Sequence, residues 1–148
     1  MSFTDQAEVD LLDLMFQNVD AVNYGDAPGL QNSAAAGSSE LALASVNHGE
    51  TDTVLTANEI AYTGYLRPTQ ARSGAGWAAA AAGLTDNAAL IQFGSMTAGG
   101  PDTATSVGLG FLSTVEFLHL FGSLDADLVI NDGINPQFVI GAFDISLT

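Results

Sequence analysis

The first part of the chain places apolar residues with the period of a helix. Over residues 5–22, apolar positions recur at i, i+3, i+4 and i+7, with polar residues on the opposite face. This pattern predicts an N-terminal amphipathic helix, with Asp5 and Glu8 as a capping box and Gly25 as the stop. The apolar positions are Leu12, Met15, Phe16 and Val19. Such a face needs a partner, either the rest of this domain or a neighbouring subunit.

After residue 40 the period changes to two. Residues 26–40 are small and polar and predict a connecting loop, while residues 41–148 alternate apolar and polar positions in short runs. The runs are Leu41/Leu43/Ser45, Tyr65/Arg67/Thr69/Ala71, Val107/Leu109/Phe111, Phe117/His119/Phe121 and Phe143/Ile145/Leu147. Turn-forming residues separate them, which is typical of antiparallel β proteins. We predict a single domain, 1–148, that is mainly β: an antiparallel β-sandwich or jelly roll with an N-terminal helix.

One segment, 77–87, fits neither period. It contains a run of alanines from Ala78 to Ala82, which favours a helix, but Gly83 ends the run after little more than a turn. Two interpretations are open: a helical turn, or an alanine-rich strand where two sheets approach closely.

The charge of the chain excludes several partners. Seventeen carboxylates stand against two arginines and no lysine, a formal net charge of −15. Such a field repels nucleic-acid phosphates, so we expect no nucleic-acid partner. We also expect no membrane partner and no signal peptide, because no apolar run approaches the roughly 20 residues of a bilayer span and the N-terminus is acidic. Without cysteine, disulfides, thiolate zinc sites and cysteine nucleophiles are excluded.

The two histidines are the first candidates for catalysis. His119 alternates with Phe117 and Phe121, so we predict a core or interface histidine whose ring bonds to a backbone carbonyl, rather than a general base. His48 lies in 46-VNHGE-50, where we predict a solvated loop residue. Neither histidine has the spacing of a nucleophile or metal motif, so we predict no catalytic residue and no cofactor.

Three aspartates are candidate ligands for a cation. Asp125, Asp127 and Asp132 could offer oxygen atoms to calcium, which favours several such ligands. They lack the order of an EF-hand loop, and aspartates facing water at strand ends explain them as well. We predict no metal site here.

The only cationic side chains, Arg67 and Arg72, lie five residues apart on one tyrosine-bearing segment. On a strand, an odd separation places them on opposite faces, so we predict different roles for them. Pro68 indicates an edge strand, where an arginine can bind a carboxylate. Two alternatives are open: an intramolecular Arg–Asp pair, or a pair with an adjacent subunit.

The segment 59-EIAYTGYLRPTQARSGAGW-77 resembles small bacteriophage virion proteins with an E-x-x-Y-T-G-Y-x-R motif. The N-terminal 4-TDQAEVDLLDLMF-16 and the C-terminal 129-VINDGINPQFVIGAFDISL-147 resemble the same proteins, whereas their L-Y-V-x-L-H-T-A-D-P strand is replaced by 41-LALASVNHGE-50. The resemblance implies a non-enzymatic structural component.

Our expectation is therefore a capsid decoration (cement) protein. It would be made in the host cytoplasm, would bind the major capsid protein and copies of itself on the outer surface of the virion, and would bridge capsomers as a homo-oligomer. The alternative is a tail-fibre or tail-associated subunit; a virion-carried hydrolase is a third, less favoured hypothesis. The predicted interface residues are Phe16, Tyr62, Tyr65, Arg67 and Arg72.

Overall fold

The computed structural model describes residues 2–22, 24–25, 29–111 and 116–147. Helix α1 (Asp5–Leu12) continues into a π-helical turn (Asp13–Gln17). The strands over the described residues are β1 (Ser38–Ala44), β2 (Thr69–Ala71), β3 (Leu84–Asp86), β4 (Ile91–Gln92), β5 (Asp102–Phe111), β6 (Leu120–Ile130), β7 (Gln137–Phe138) and β8 (Asp144–Ser146).

The strands form one sheet of four strands, in the order β2-β1-β5-β6, and two sheets of two strands, β3-β8 and β4-β7. The β1–β5, β5–β6 and β3–β8 pairs are antiparallel. The predicted fold class is confirmed: the chain is mainly β, with antiparallel sheets and one N-terminal helix, consistent with a β-sandwich. β2 is an edge strand, as the proline before it indicates.

Contacts divide the chain into two compact units. The first comprises Met1–Ser38, Gln70–Ile91 and Phe138–Thr148, and the second comprises Ser39–Thr69 and Gln92–Gln137. The number of folding domains is not decided by this division, so the single domain stays a prediction.

The first unit has an aromatic core. Phe16 and Trp77 are fully buried, with ring centroids 4.8 Å apart. Phe143 lies 6.1 Å from Trp77 and 5.0 Å from Phe138, so the helix end and the C-terminal residues share one cluster. The helical period therefore predicts the buried face correctly at Leu12 and Phe16.

The N-terminal helix is shorter than predicted. Thr4, rather than Asp5, is the N-cap, because its hydroxyl accepts a hydrogen bond from the amide of Ala7. The helical residues end at Gln17 instead of running to residue 22, since Asn18 adopts a left-handed conformation with φ 57°. The Asn18 side chain bonds the backbone N–H and C=O of Ser33, which turns the chain away. Val19 is therefore outside the helix and exposed.

The second unit is built on β1 and β5. In β1, Leu41 to Ala44 are all buried, so both faces of this strand are covered. In β5, Gly108 and Gly110 leave room for a neighbouring loop: a Cβ at position 108 would lie 2.7 Å from Leu118 Cδ1 and 3.1 Å from His48 Nε2. β6 pairs with β5 through a register shift that sets four residues, 124–127, against Thr105.

Three predicted elements differ from the structure. Strand β1 begins at Ser38, inside the predicted loop 26–40, of which residues 26–28 lie outside the described residues. Of the run from Tyr65 to Ala71, only Thr69–Ala71 is a strand, because the preceding residues follow a turn. Phe117 forms only an isolated bridge with Val54, and β6 begins at Leu120.

The alanine-rich segment is one arm of a β-hairpin, so the helical turn is the wrong alternative. Bridges join Trp77 to Asn87 and Ala81 to Leu84. Between the latter pair, Ala82 and Gly83 both have positive φ, 51° and 75°. Two such residues form the kind of tight turn that suits the twist of a hairpin. The turn chemistry decides this segment against the helix propensity of its alanines.

Candidate functional site

The candidate site is the segment from Glu59 to Arg67 in the second unit, which carries the E-x-x-Y-T-G-Y-x-R motif. Backbone bonds attach its start to β1, where the amide of Ile60 donates to Leu43. A turn follows, closed by the bond from the Tyr65 amide to the Tyr62 carbonyl. Gly64 in this turn has φ 96°, and a Cβ there would lie 2.2 Å from the Ser95 carbonyl oxygen, so only glycine fits.

Arg67 holds three glutamates at the end of this segment. Its Nε and Nη2 donate to the two carboxylate oxygens of Glu59, each at 2.6 Å. Nη1 donates to Glu40 Oε2 at 3.1 Å and lies 3.3 Å from Glu116 Oε1. The side chains of Arg67, Glu40 and Glu59 are 13, 17 and 14% exposed, whereas Glu116 is 54% exposed. We call these four residues the Arg67 cluster.

The Arg67 cluster uses its charges within the chain. Fork-like pairing with Glu59 is the strong form of an arginine–carboxylate interaction, and it raises the pKa of Arg67. The intramolecular alternative is thus present, with glutamates in place of the expected aspartates. To bind Arg67, a carboxylate of another subunit would have to displace one of these glutamates. The interface role of Arg67 stays a prediction.

The two motif tyrosines join the segment to its surroundings. The Tyr62 hydroxyl donates to the carbonyl of Gly94 at 2.6 Å, and the Tyr65 hydroxyl accepts from the amide of Leu43 at 2.9 Å. Burial, and secondarily the charge of Asp102, raises the pKa of Tyr62 to about 12. Burial also raises the pKa of Tyr65. Both phenols are therefore neutral donors or acceptors that fix the turn.

Arg72 has a different role in the first unit. Its guanidinium donates to the carbonyls of Met15 at 2.6 Å, Leu14 at 2.8 Å and Ala36 at 2.9 Å. The last carbonyls of a helix lack partners within the helix and carry partial negative charge, so a cation there stabilises the helix end. Burial lowers the pKa of Arg72. The prediction that the two arginines act differently agrees with this geometry.

The other candidate residues, Phe16 and the two histidines, differ in their burial. Phe16 is fully buried against Trp77, so the helix face has a partner within the first unit, and its predicted interface role stays a prediction. His119 is exposed rather than part of the core, with Nδ1 3.1 Å from the Phe117 carbonyl oxygen as expected. His48 is buried, so the solvated-loop prediction is wrong: Gly108 of β5 leaves room for its ring, and its Nδ1 lies 3.5 Å from Asp52 Oδ2.

The three candidate cation ligands lie on the surface. Asp125 and Asp127 are exposed on β6, and Asp132 is exposed in the turn that follows. Within the described ranges, no group of three or more His, Asp or Glu side chains has the arrangement of a metal site.

Sequence reasoning missed Glu40 and Glu116 as partners of Arg67. They are 27 and 49 residues away along the chain, and only the tertiary structure brings them to Arg67. The sequence signal that could have found them is the rarity of glutamate. The chain has only five glutamates, and three of them contact Arg67. Asn87 was also missed; its buried amide organises a turn described below.

Comparison with known proteins leaves the function open to proposal. No protein-family model matches the sequence, and no curated protein matches it. Among the helices of the described residues, none has the length and hydropathy needed to cross a bilayer. The resemblance to phage virion proteins therefore stays a prediction.

Proposed function

We propose that this protein is a bacteriophage capsid decoration protein that binds the outer surface of the shell and bridges capsomers without catalysing a reaction. The observation that carries the proposal is that the motif residues bond to groups within the second unit. Glu59 and Arg67 bond each other, while Tyr62 and Tyr65 bond backbone groups of neighbouring segments. The chemistry of the phage-like segment thus serves rigidity, which a cement protein needs.

The charge distribution supports an outward position on a particle. The donors of Arg67 are directed at glutamates and those of Arg72 at helix-end carbonyls, so both cations of this acidic chain face their own unit. The exposed carboxylates include Glu50, Asp125, Asp127, Asp132 and Asp144. Such a surface repels packaged nucleic acid and attracts basic protein surfaces.

An exposed apolar surface in the second unit supports a protein partner. Val54 and Phe117 lie opposite each other in an antiparallel bridge, and Phe121 follows on β6; all three are exposed. We call them the phenylalanine surface. Aromatic side chains are enriched at protein interfaces.

The test is binding to shells. Particles assembled without this protein are mixed with the purified protein, and the temperature at which the shells dissociate is measured. We expect bound protein to raise that temperature. A Phe117→Ser/Phe121→Ser variant should lose binding while keeping its circular dichroism spectrum, and Val129→Ser, at another exposed position on β6, is the matched control.

Two results would overturn the proposal. The first is wild-type protein that leaves shell dissociation unchanged. The second is a particle without the protein that keeps its heat resistance but no longer adsorbs to cells, which would identify the tail-fibre alternative.

A further inference from the structure

The ribbon formed by β3 and β8 in the first unit carries two carboxylates side by side. Its register pairs Thr85 with Ile145, both buried, and Asp86 with Asp144. Because residues alternate between faces, Asp86 and Asp144 lie together on the face opposite to the buried pair. Directly opposed residues have Cβ atoms about 5 Å apart, and like charges at that distance destabilise a ribbon.

The chain offers this carboxylate pair no cation within the described residues. Its two positive side chains are held elsewhere: Arg67 by glutamates of the second unit, and Arg72 at the end of the N-terminal helix. No ion pair of Asp86 or Asp144 occurs in the part of the chain that the structure describes. The counter-charge must therefore come from solvent or from another molecule.

A rigid apolar turn lies at the same end of the ribbon. The turn from Val139 to Ala142 is held by the fully buried amide of Asn87. Asn87 Nδ2 donates to the carbonyls of Ala89 and Val139, and its Oδ1 accepts from the amides of Ala142 and Phe143. This uses both donors and both lone pairs of the amide. Asn87 and Phe143 directly adjoin Asp86 and Asp144 in the chain, which places the turn beside the carboxylate pair.

The turn presents apolar side chains to solvent. Val139 is 56% and Ile140 is 66% exposed, although the turn that carries them is held by hydrogen bonds to the buried Asn87 amide. A preorganised turn loses little conformational entropy on binding, so its exposed side chains are efficient contacts. We call Asp86, Asp144, Val139 and Ile140 the aspartate–isoleucine surface.

We propose that the aspartate–isoleucine surface docks a partner protein through arginine or lysine side chains that lie beside an apolar patch. A second copy of this chain is disfavoured, because it carries the same charge of −15 and its own arginines are held by internal groups. This inference rests on the proposed function, in which the partner is the capsid shell. Bridging two capsomers requires more than one contact surface, and this surface is separate in sequence from the phenylalanine surface.

The experiment measures equilibrium binding of full-length protein to shells assembled without it, at two salt concentrations. The test variants are Asp86→Asn/Asp144→Asn and Ile140→Ser. The matched control is Asp125→Asn/Asp127→Asn, which removes the same charge from exposed positions of β6. We expect the first variant to bind about tenfold more weakly, which corresponds to losing two exposed ion pairs of nearly 1 kcal/mol each, and to show a smaller salt dependence. The control should stay within about twofold of wild type.

Unfolding provides a second readout with the opposite sign. Removing two opposed charges should raise the unfolding temperature of the free Asp86→Asn/Asp144→Asn protein while its binding falls. A merely structural role would lower both together. Ile140→Ser should weaken binding and leave the unfolding temperature unchanged.

The outcomes separate this inference from the proposed function. If wild-type protein does not bind shells, both the proposed function and this inference are refuted. If wild type binds but the Asp86/Asp144 variant binds like the control, only this inference fails. If calcium alone raises the unfolding temperature of wild type but not of that variant, the ligand of this surface is a cation and not a protein. A dimer in sedimentation that Ile140→Ser dissolves would replace it with a second copy.

Discussion

Replacing Arg67 with methionine tests the central interaction of the candidate site. The change keeps much of the side-chain volume but leaves Glu40, Glu59 and Glu116 without their shared cation. Breaking a buried ion pair by removing one partner costs about 3–5 kcal/mol, whereas exposed pairs contribute about 0–1 kcal/mol. Because Arg67, Glu40 and Glu59 are less than a fifth exposed while Glu116 is more than half exposed, we expect a loss of about 3 kcal/mol.

Urea unfolding followed by circular dichroism measures this loss. With about 2–4 °C per kcal/mol for a chain of this size, the same variant should unfold roughly 10 °C lower. Arg67→Lys is the graded control, since it keeps the charge but cannot form the two parallel bonds to Glu59; it should lose about half as much. A double variant, Arg67→Met/Glu59→Met, should recover part of the loss, because the carboxylate that had two bonds to the guanidinium is removed as well.

A small effect would refute the reasoning. If Arg67→Met loses less than about 0.5 kcal/mol, the range of ordinary surface substitutions, then the Arg67 cluster does not stabilise the fold. Retention on shells tests the interface role at the same time. A loss of retention larger than the loss of stability predicts would place Arg67 in a contact between subunits.

Three further predictions concern other parts of the molecule. Phe16→Ala should cost about 3–5 kcal/mol in urea unfolding, because the ring is fully buried against Trp77, while Phe3→Ala, at an exposed position, should stay within about 0.5 kcal/mol. Asn87→Ala should cost about 1–3 kcal/mol and speed amide exchange in the 139–143 turn, since four part-buried backbone groups lose their bonds to its amide; unchanged exchange there would contradict the role of its amide. The raised pKa of Tyr62 favours its neutral form in the folded state, so its contribution is present below pH about 10 and is lost as pH rises through about 12; phenolate absorbance should show this late ionisation, and Tyr62→Phe should remove it.

The local pattern of residues was sufficient for the class of the fold and for several of its elements. The helical period of the N-terminus predicts burial of Leu12 and Phe16, and the period of two predicts β1, β5 and β8. These signals are local, because side-chain direction follows from the backbone geometry of each element. The end of the N-terminal helix depends on a more distant contact, because Asn18 bonds to Ser33, fifteen residues away.

The partners of polar side chains were decided only by the tertiary structure. The sequence shows that Arg67 and Arg72 are the only positive side chains, but the tertiary structure selects Glu40, Glu59 and Glu116 for one and helix-end carbonyls for the other. His48 is buried because Gly108 of β5, sixty residues later, leaves room for its ring.

The physical reason for this division is the range of the interactions. Backbone propensity and hydrophobic period act within one element, so a single sequence carries them in full. Charge pairing, cavity filling and the satisfaction of a buried amide such as Asn87 depend on which distant segments meet, and that is determined by packing of the whole chain.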